Sequence, residues 1–183
     1  MKEMQKRKPN RLHEYDYNQN GLYFITMCTK DRTELFGNVV VDEPVPGRPH
    51  MELTELGKYI YSAIKYYNEN NIIEIEKNVV MPNHIHMIIN LLATGDRGRS
   101  PLQYVVRNFK SYVTKNAGYS PWQRSFHDHI IRNQEDYNRI AEYIKNNPAR
   151  WADDRYHFVG DAALGVPHKE NQHVKLQPHR SDR

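Results

Sequence analysis

Apolar side chains recur along the chain at two spacings, one typical of helices and one typical of strands. Helical spacing predicts helices over 54–71, 102–116 and 134–147. Extended apolar or alternating runs predict strands over 22–29, 72–81, 84–91 and 125–132, with a shorter strand over 39–41. A loop is predicted after the short strand by Pro44, Pro46, Gly47 and Pro49. The order β, short β, α, β, β, α, β, α predicts an α+β fold, with a ferredoxin-like antiparallel sheet and helices packed on it.

The ends of the chain differ in character from its middle. Residues 1–16 are polar and basic and predict an arm. Residues 17–158 carry all the predicted elements and form one domain, without internal repeats. Residues 159–183 are polar and rich in histidine, which predicts a disordered tail.

Composition excludes several classes of protein but selects none. The formal net charge of +4 over 183 residues is compatible with a nucleic-acid partner without requiring one. Cys28 is the single cysteine, so no intramolecular disulfide can form. The sequence contains no run long enough to span a membrane and no secretory signal. We therefore expect a cytoplasmic protein with no membrane partner.

The predicted strand at 84–91 begins with two histidines two positions apart. Successive strand side chains point to opposite faces, so His84 and His86 leave the same face, with their Cβ atoms about 7 Å apart. Ile85 and Met87 point the other way, into a core. Two imidazoles suit Zn²⁺, Mn²⁺ or Ni²⁺, whereas Mg²⁺ prefers oxygen ligands. The spacing alone therefore predicts a metal site without naming the metal, and an exposed pair of strand histidines is the alternative.

The same strand carries a resemblance to a known family. The run over 79–89, with Met81-Pro82-Asn83-His84-Ile85-His86 at its centre, resembles the His-hydrophobe-His (HUH) signature of the single-tyrosine transposases of insertion sequences. More narrowly, it resembles the REP-associated tyrosine transposases. The segments 15–26, 109–111, 122–133 and 143–148 resemble other parts of that family in the same order, and the match covers roughly residues 11–156.

The resemblance implies a fold, a chemistry and a set of site residues. It implies the HUH endonuclease fold, with two histidines that bind Mg²⁺ or Mn²⁺ at the scissile phosphate of single-stranded DNA. A tyrosine then attacks, becomes linked to the 5′ phosphate and leaves a free 3′ hydroxyl. The family's nucleophile corresponds to Tyr143, and Asn147, one helical turn later, corresponds to a third metal ligand that is Gln in related transposases. Rival tyrosines are interpreted as packing or base-stacking residues: Tyr137, Tyr104 and Tyr112.

Basic residues outside this cluster predict a path for DNA. The candidates for phosphate contacts are Arg97, Arg99, Arg107, Lys110, Arg124 and Arg132. His127 and His129 repeat the two-residue spacing on another predicted strand and are interpreted either as residues that support the site or contact DNA, or as a solvated or edge-facing pair. Trp122 stacks on bases or belongs to the core, and Phe126 is expected in the core.

These observations lead to a leading hypothesis and two alternatives. The leading hypothesis is a transposase that cleaves and rejoins single-stranded DNA at hairpin-forming repeats, without a nucleotide cofactor. A monomer is favoured over a dimer, because members of the REP-associated group resemble monomers in which the histidines and the tyrosine come from one chain. The alternatives are a hairpin-binding protein with weak or lost catalysis and a phosphoesterase that uses His84 and His86 but does not need Tyr143.

Overall fold

The computed structural model describes residues 20–41, 49–69, 73–91 and 101–151. The predicted arm at 1–16 and tail at 159–183 lie outside the described residues, so the predicted domain boundaries stay predictions. Nine strands and helices are described, together with 3-10 helices at Lys30–Arg32 and Pro148–Arg150. The strands are β1 (Gly21–Cys28), β2 (Gly37–Val40), β3 (His50–Leu53), β4 (Glu74–Met81), β5 (His84–Leu91) and β6 (His127–Ile131). The helices are α1 (Glu55–Glu69), α2 (Pro101–Ala117) and α3 (Gln134–Asn146).

Four strands form an antiparallel sheet in the order β4-β5-β1-β6. The two central strands are rich in aliphatic and aromatic side chains on both faces, which explains their burial between two layers. With α1 between β1 and β4, and α2 between β5 and β6, the order is that of a ferredoxin-like fold. The predicted α+β class and the antiparallel sheet are therefore confirmed.

The two faces of the sheet are covered by different helices. The helices α1 and α2 pack on one face, where residues of both helices join the large core that contains Ile85, Met87 and Ile89 of β5. The third helix packs on the other face, where Ile140 and Ile144 meet Phe24 and Ile88. Side chains of β5 that point away from the large core therefore face α3. None of the helices in the described residues is long and apolar enough to cross a membrane.

The segment before α1 departs from the sequence prediction. His50–Leu53 forms β3 and pairs with β2, whereas the prolines at 44–49 predicted only a loop before the helix. The strand was missed because it has four residues and its main support is the backbone ladder with β2, which the local pattern does not reveal. Thr54 then caps α1, because its Oγ1 accepts a hydrogen bond from the backbone N–H of Gly57 at 3.2 Å.

Candidate metal and nucleophile site

The two histidines lie at the start of β5, directly after the turn at Pro82 and Asn83. Their rings leave the strand on the α3 side, with centroids 4.4 Å apart, and both residues are buried. The prediction that His84 and His86 share one face, opposite Ile85 and Met87, is confirmed.

Each imidazole uses its Nδ1 atom for a hydrogen bond within the protein. Nδ1 of His84 lies 2.8 Å from Oδ1 of Asn83, and Nδ1 of His86 lies 2.8 Å from Oγ1 of Thr26. Thr26 faces His86 across the β1–β5 ladder, which explains the second contact. Both rings are therefore held in place through Nδ1, and Nε2 is the nitrogen on each ring that these two contacts leave unused.

The phenol of Tyr143 reaches this pair from α3. Its hydroxyl lies 3.3 Å from Nε2 of His86, and the two ring centroids are 5.2 Å apart. Phe24 of β1 stacks on His86 at 5.1 Å and meets the ring of Tyr143 edge-on at 6.2 Å. Packing against Phe24 thus fixes the phenol beside the histidine.

The orientation of α3 is fixed at its first turn. The side chain of Asn133 caps the helix by accepting a hydrogen bond from the backbone N–H of Asp136. The carboxylate of Asp136 in turn accepts from Nε2 of His129 at 2.7 Å and from the guanidinium of Arg139. Partial burial raises the pKa of Asp136, but these two hydrogen bonds outweigh burial and lower it below its usual value. His129 therefore links β6 to α3, as a supporting residue.

Asn147 lies at the other end of α3, where its backbone N–H caps the helix on Ile144. It is fully buried. Among the described residues, neither polar atom of its amide forms a hydrogen bond of acceptable geometry, and the same holds for Nε2 of His84. Burial and then the charge of Arg32 lower the pKa of His84 to about 3, and the adjacent amide of Asn147 works in the opposite direction. Burial, and then His84, also lowers the pKa of His86, so both rings are neutral at pH 7.

These donors fit a divalent cation. Neutral imidazole is the form that binds metal, and an amide oxygen adds the harder ligand that Mn²⁺ and Mg²⁺ accept. Buried polar atoms without a partner are rare in folded proteins, and three of them occur here together. Within the described residues, no group of three or more His, Cys, Asp and Glu side chains is arranged to hold a metal. The candidate donors here are the two imidazoles and the amide.

The rival tyrosines lie away from the histidines. Tyr104 is exposed on α2, and Tyr112 of the same helix stacks on Tyr66 of α1 at 5.9 Å, across the sheet from the site. Tyr137 packs against the small core below α3, and burial followed by Glu76 raises its pKa to about 12. Of these four tyrosines, the described structure brings Tyr143 to the imidazoles.

The predicted DNA contacts are spread over the surface. Arg97 and Arg99 lie outside the described residues. Arg107 is exposed on α2, across the sheet from the histidines, and Arg124 and Arg132 are exposed on either side of β6. These contacts stay predictions.

Lys110 has a structural role that its charge did not predict. Its Nζ donates to the backbone carbonyls of Gln123 and Ser125, both at 2.9 Å, and lies 5.8 Å from the ring centroid of Trp122. Burial lowers its pKa to about 8, against the opposing effect of Cys28. Trp122 itself is buried, and Phe126 packs against the same core, so both belong to the core.

Sequence reasoning missed three residues that support the site: Thr26, Arg32 and Asn83. Thr26 and Arg32 make contacts with positions far apart in the chain, such as the 60 positions between Thr26 and His86, whereas Asn83 contacts the adjacent His84. The available signal for Asn83 is its place directly before the histidines, in the run that carries the resemblance.

Comparisons with known proteins identify relatives of this chain. No protein-family model matches the chain. An uncharacterized protein of Haemophilus influenzae is 33% identical over 174 residues, covering 81% of this chain and 92% of that protein. The REP-associated tyrosine transposase of Escherichia coli K12 is 31% identical over 99 residues, covering 54% of this chain and 58% of that protein. A solved structure of a REP-associated tyrosine transposase bound to a REP hairpin superposes with a TM-score of 0.56 at 26% identity, covering 77% of this chain and 74% of that one.

Proposed function

The chain is a homologue of the REP-associated tyrosine transposases, and from that relationship we propose that it cleaves and rejoins single-stranded DNA at hairpin-forming repeats. The solved relative is bound to a REP hairpin, which supports a hairpin as the partner of this chain too. The observation that carries the catalytic part of the proposal is the 3.3 Å approach of the Tyr143 hydroxyl to Nε2 of His86.

In the proposed reaction the phenol oxygen of Tyr143 attacks the scissile phosphorus. A new oxygen–phosphorus bond forms to the 5′ phosphate, and the bond from phosphorus to the 3′ oxygen breaks. The phenol releases its proton to solvent, and the departing 3′ oxygen takes one up. Because one phosphodiester replaces another, no nucleotide cofactor is needed, and attack by the 3′ hydroxyl on the phosphotyrosine reverses the step.

The side chains of this site would divide the work between holding a cation and positioning the nucleophile. His84, His86 and Asn147 would hold Mg²⁺ or Mn²⁺, which when bound supplies charge neutralisation and orientation of the phosphate oxygens. Phe24 holds the phenol at the level of the imidazoles, and the capped first turn of α3 holds the helix in register. An ordinary phenol has a pKa of about 10 and is a weak nucleophile at pH 7, so positioning carries much of the proposed rate.

A strand-cleavage assay tests this function. The substrate is a single-stranded oligonucleotide with a repeat hairpin from the same genome and its flanking sequence, labelled in separate samples at the 5′ or the 3′ end, with Mg²⁺ or Mn²⁺. A 5′ phosphotyrosine predicts a denaturant-resistant adduct that carries the 3′ label only. Tyr143→Phe removes only the attacking hydroxyl and is expected to abolish the adduct, while Tyr112→Phe, the same change on α2, should leave it intact.

Two other outcomes would replace the proposal. Cleavage that proceeds without an adduct and is unchanged in Tyr143→Phe would indicate a phosphoesterase that uses His84 and His86. Hairpin binding without cleavage in either metal would indicate a DNA-binding protein that has lost catalysis.

A further inference from the structure

The amide of Asn83 is oriented by a contact on each of its two ends. Its Nδ2 lies 3.2 Å from the backbone carbonyl of Arg32, and its Oδ1 lies 2.8 Å from Nδ1 of His84. A backbone carbonyl can only accept, so the NH₂ end of the amide must face Arg32. The oxygen end must then face His84, and since an amide oxygen can only accept, Nδ1 of His84 carries the hydrogen.

Asn83 is itself held rigidly by the segment after β1. Its backbone carbonyl accepts from the backbone N–H of Thr29 at 2.9 Å. The carbonyl of the preceding Pro82 accepts from the backbone N–H groups of Leu35 and Phe36 at 2.8 and 2.9 Å. The turn that carries Asn83 is therefore fixed to the 29–36 segment by three backbone hydrogen bonds.

The same segment stores backbone strain at the point that meets Asn83. Asp31 and Arg32 have φ values of 55° and 58°, in the left-handed region that side chains other than glycine rarely adopt. Two consecutive residues of this kind persist only where the surrounding contacts determine the conformation, and such strain concentrates at functional sites. Here the strained residue Arg32 supplies the carbonyl that sets the direction of the Asn83 amide.

We propose that Asn83 is a positioning residue that keeps the hydrogen of the neutral His84 ring on Nδ1, so that the lone pair of Nε2 faces the cation site. Neutral imidazole has one N–H, and the nitrogen without it is the one able to bind a metal. The role toward the cation rests on the proposed function, whereas the position of the hydrogen rests on the hydrogen bonds of Asn83 alone.

Thr26 provides an internal comparison. Its hydroxyl lies at the same distance from Nδ1 of His86 as Oδ1 of Asn83 does from Nδ1 of His84. A hydroxyl can donate or accept, so it orients the ring of His86 without choosing which nitrogen carries the hydrogen. We therefore expect the choice of tautomer to depend on Asn83 at His84 more strongly than on Thr26 at His86.

Nuclear magnetic resonance of the metal-free, full-length protein tests the position of the hydrogen. Histidine ring nitrogens are labelled with ¹⁵N, and the signals of His84 are assigned by their loss in His84→Ala. We expect a protonated Nδ1 and an unprotonated Nε2 in the wild type and in Asn83→Asp, which keeps an acceptor oxygen. Asn83→Leu removes the acceptor and should give a mixture or the other tautomer. Asn90→Leu, on the same strand but bonded to Glu74, is the control and should match the wild type.

Titration with Mn²⁺ alone, without DNA, measures how the tautomer of His84 affects metal affinity. Loss of a partner that orients a metal-binding histidine lowers metal affinity by on the order of 10- to 100-fold. We expect this loss in Asn83→Leu, and affinity at or above the wild-type value in Asn83→Asp. An Nε2–H tautomer in the wild type, an unchanged tautomer in Asn83→Leu, or a loss of affinity without a change of tautomer would each overturn the proposal.

The two readouts separate this inference from the proposed function. If Asn83→Leu does not fold, the wild-type and Asn83→Asp spectra still decide where the hydrogen lies. A confirmed Nδ1–H tautomer in a protein that forms no DNA adduct would support the role of Asn83 in holding His84 and overturn the proposed transposase chemistry. A DNA adduct in a protein whose His84 carries its hydrogen on Nε2 would support the transposase chemistry and exclude this role of Asn83.

Discussion

The two faces of the sheet differ in what they bury. On the face toward α1 and α2, the described core contains 23 buried residues, all of them apolar or aromatic. On the face toward α3 the buried apolar cluster has five members: Phe24, Ile88, Ile131, Ile140 and Ile144. The second cluster shares its face with three buried polar residues: His84, His86 and Asn147. One face therefore supplies most of the stability, and the other carries groups that are costly to bury.

Side chains of β5 enter both faces of the sheet, so the two faces can be compared by substitutions within one strand. Ile85, Met87 and Ile89 of β5 enter the large core, whereas His84 and His86 alternate with them and enter the site. Neighbouring substitutions on one strand should therefore separate into effects on folding and effects on chemistry.

The largest effect expected on strand β5 is on chemistry, at His86. His86→Gln removes an imidazole that orients both the proposed cation and the phenol. We expect the single-turnover rate of adduct formation to fall by on the order of 100- to 1000-fold, because metal stabilisation of a phosphoryl transition state contributes several kcal/mol. The melting temperature should change little. His50→Gln, on the exposed strand β3, is the matched control, and an equal loss of rate there would remove the special role of His86.

The next effect is on folding, one residue away. Met87→Ala empties a position that is 1% exposed in the large core, and a substitution of this kind costs about 2–5 kcal/mol of unfolding free energy. Urea unfolding measures the loss. Adduct formation by the fraction that stays folded should approach the wild-type rate, and a stable but inactive Met87→Ala variant would contradict the division between the faces.

The sequence predicts the fold well where the signal is local. Alternation along β5 placed His84 and His86 opposite Ile85 and Met87, and helical spacing located α2 and α3 to within a few residues. The strand β3 was missed because the pairing that supports it lies outside its own four residues.

The site is predictable only in part, because some of its contacts are local in the sequence and others are not. The histidine pair follows from strand spacing, but Tyr143 and Asn147 came only from the resemblance, because a helix is brought to a strand by packing and not by spacing. Thr26 touches His86 across 60 positions, so no local pattern reveals it. Lys110 shows a role that charge alone does not reveal, since its ammonium bonds to carbonyls 13 and 15 positions away, while its contact with DNA stays a prediction.

A smaller effect is expected at Asn147, where a substitution should raise the stability of the fold and weaken metal binding. Asn147 is fully buried and its amide atoms form no acceptable hydrogen bond, and a buried polar group in that state costs about 1–3 kcal/mol. Asn147→Leu keeps the number and branching of side-chain heavy atoms and removes the buried amide, so it should raise the unfolding free energy by about 1 kcal/mol or more, while weakening Mn²⁺ binding. Asn138→Leu, exposed on the same helix, should change stability by less than about 0.5 kcal/mol. A destabilised Asn147→Leu variant would mean that the amide is satisfied in the folded protein.

The smallest effect is a dependence of stability on pH that belongs to the site face. The pKa of His84 is about 3 in the folded protein, below the 6.5 of a free histidine. Between pH 3 and pH 6.5 the unfolded chain therefore binds a proton at His84 that the folded chain does not bind. The stability it contributes is present above pH 6.5 and is lost as the pH falls toward 3, at no more than about 1.4 kcal/mol per pH unit. Urea unfolding in chelator between pH 6.5 and 5.5 should show a shallower slope in His84→Gln than in the wild type. Equal slopes would mean that His84 is solvated in the metal-free protein and that the site face is more open than the sheet geometry indicates.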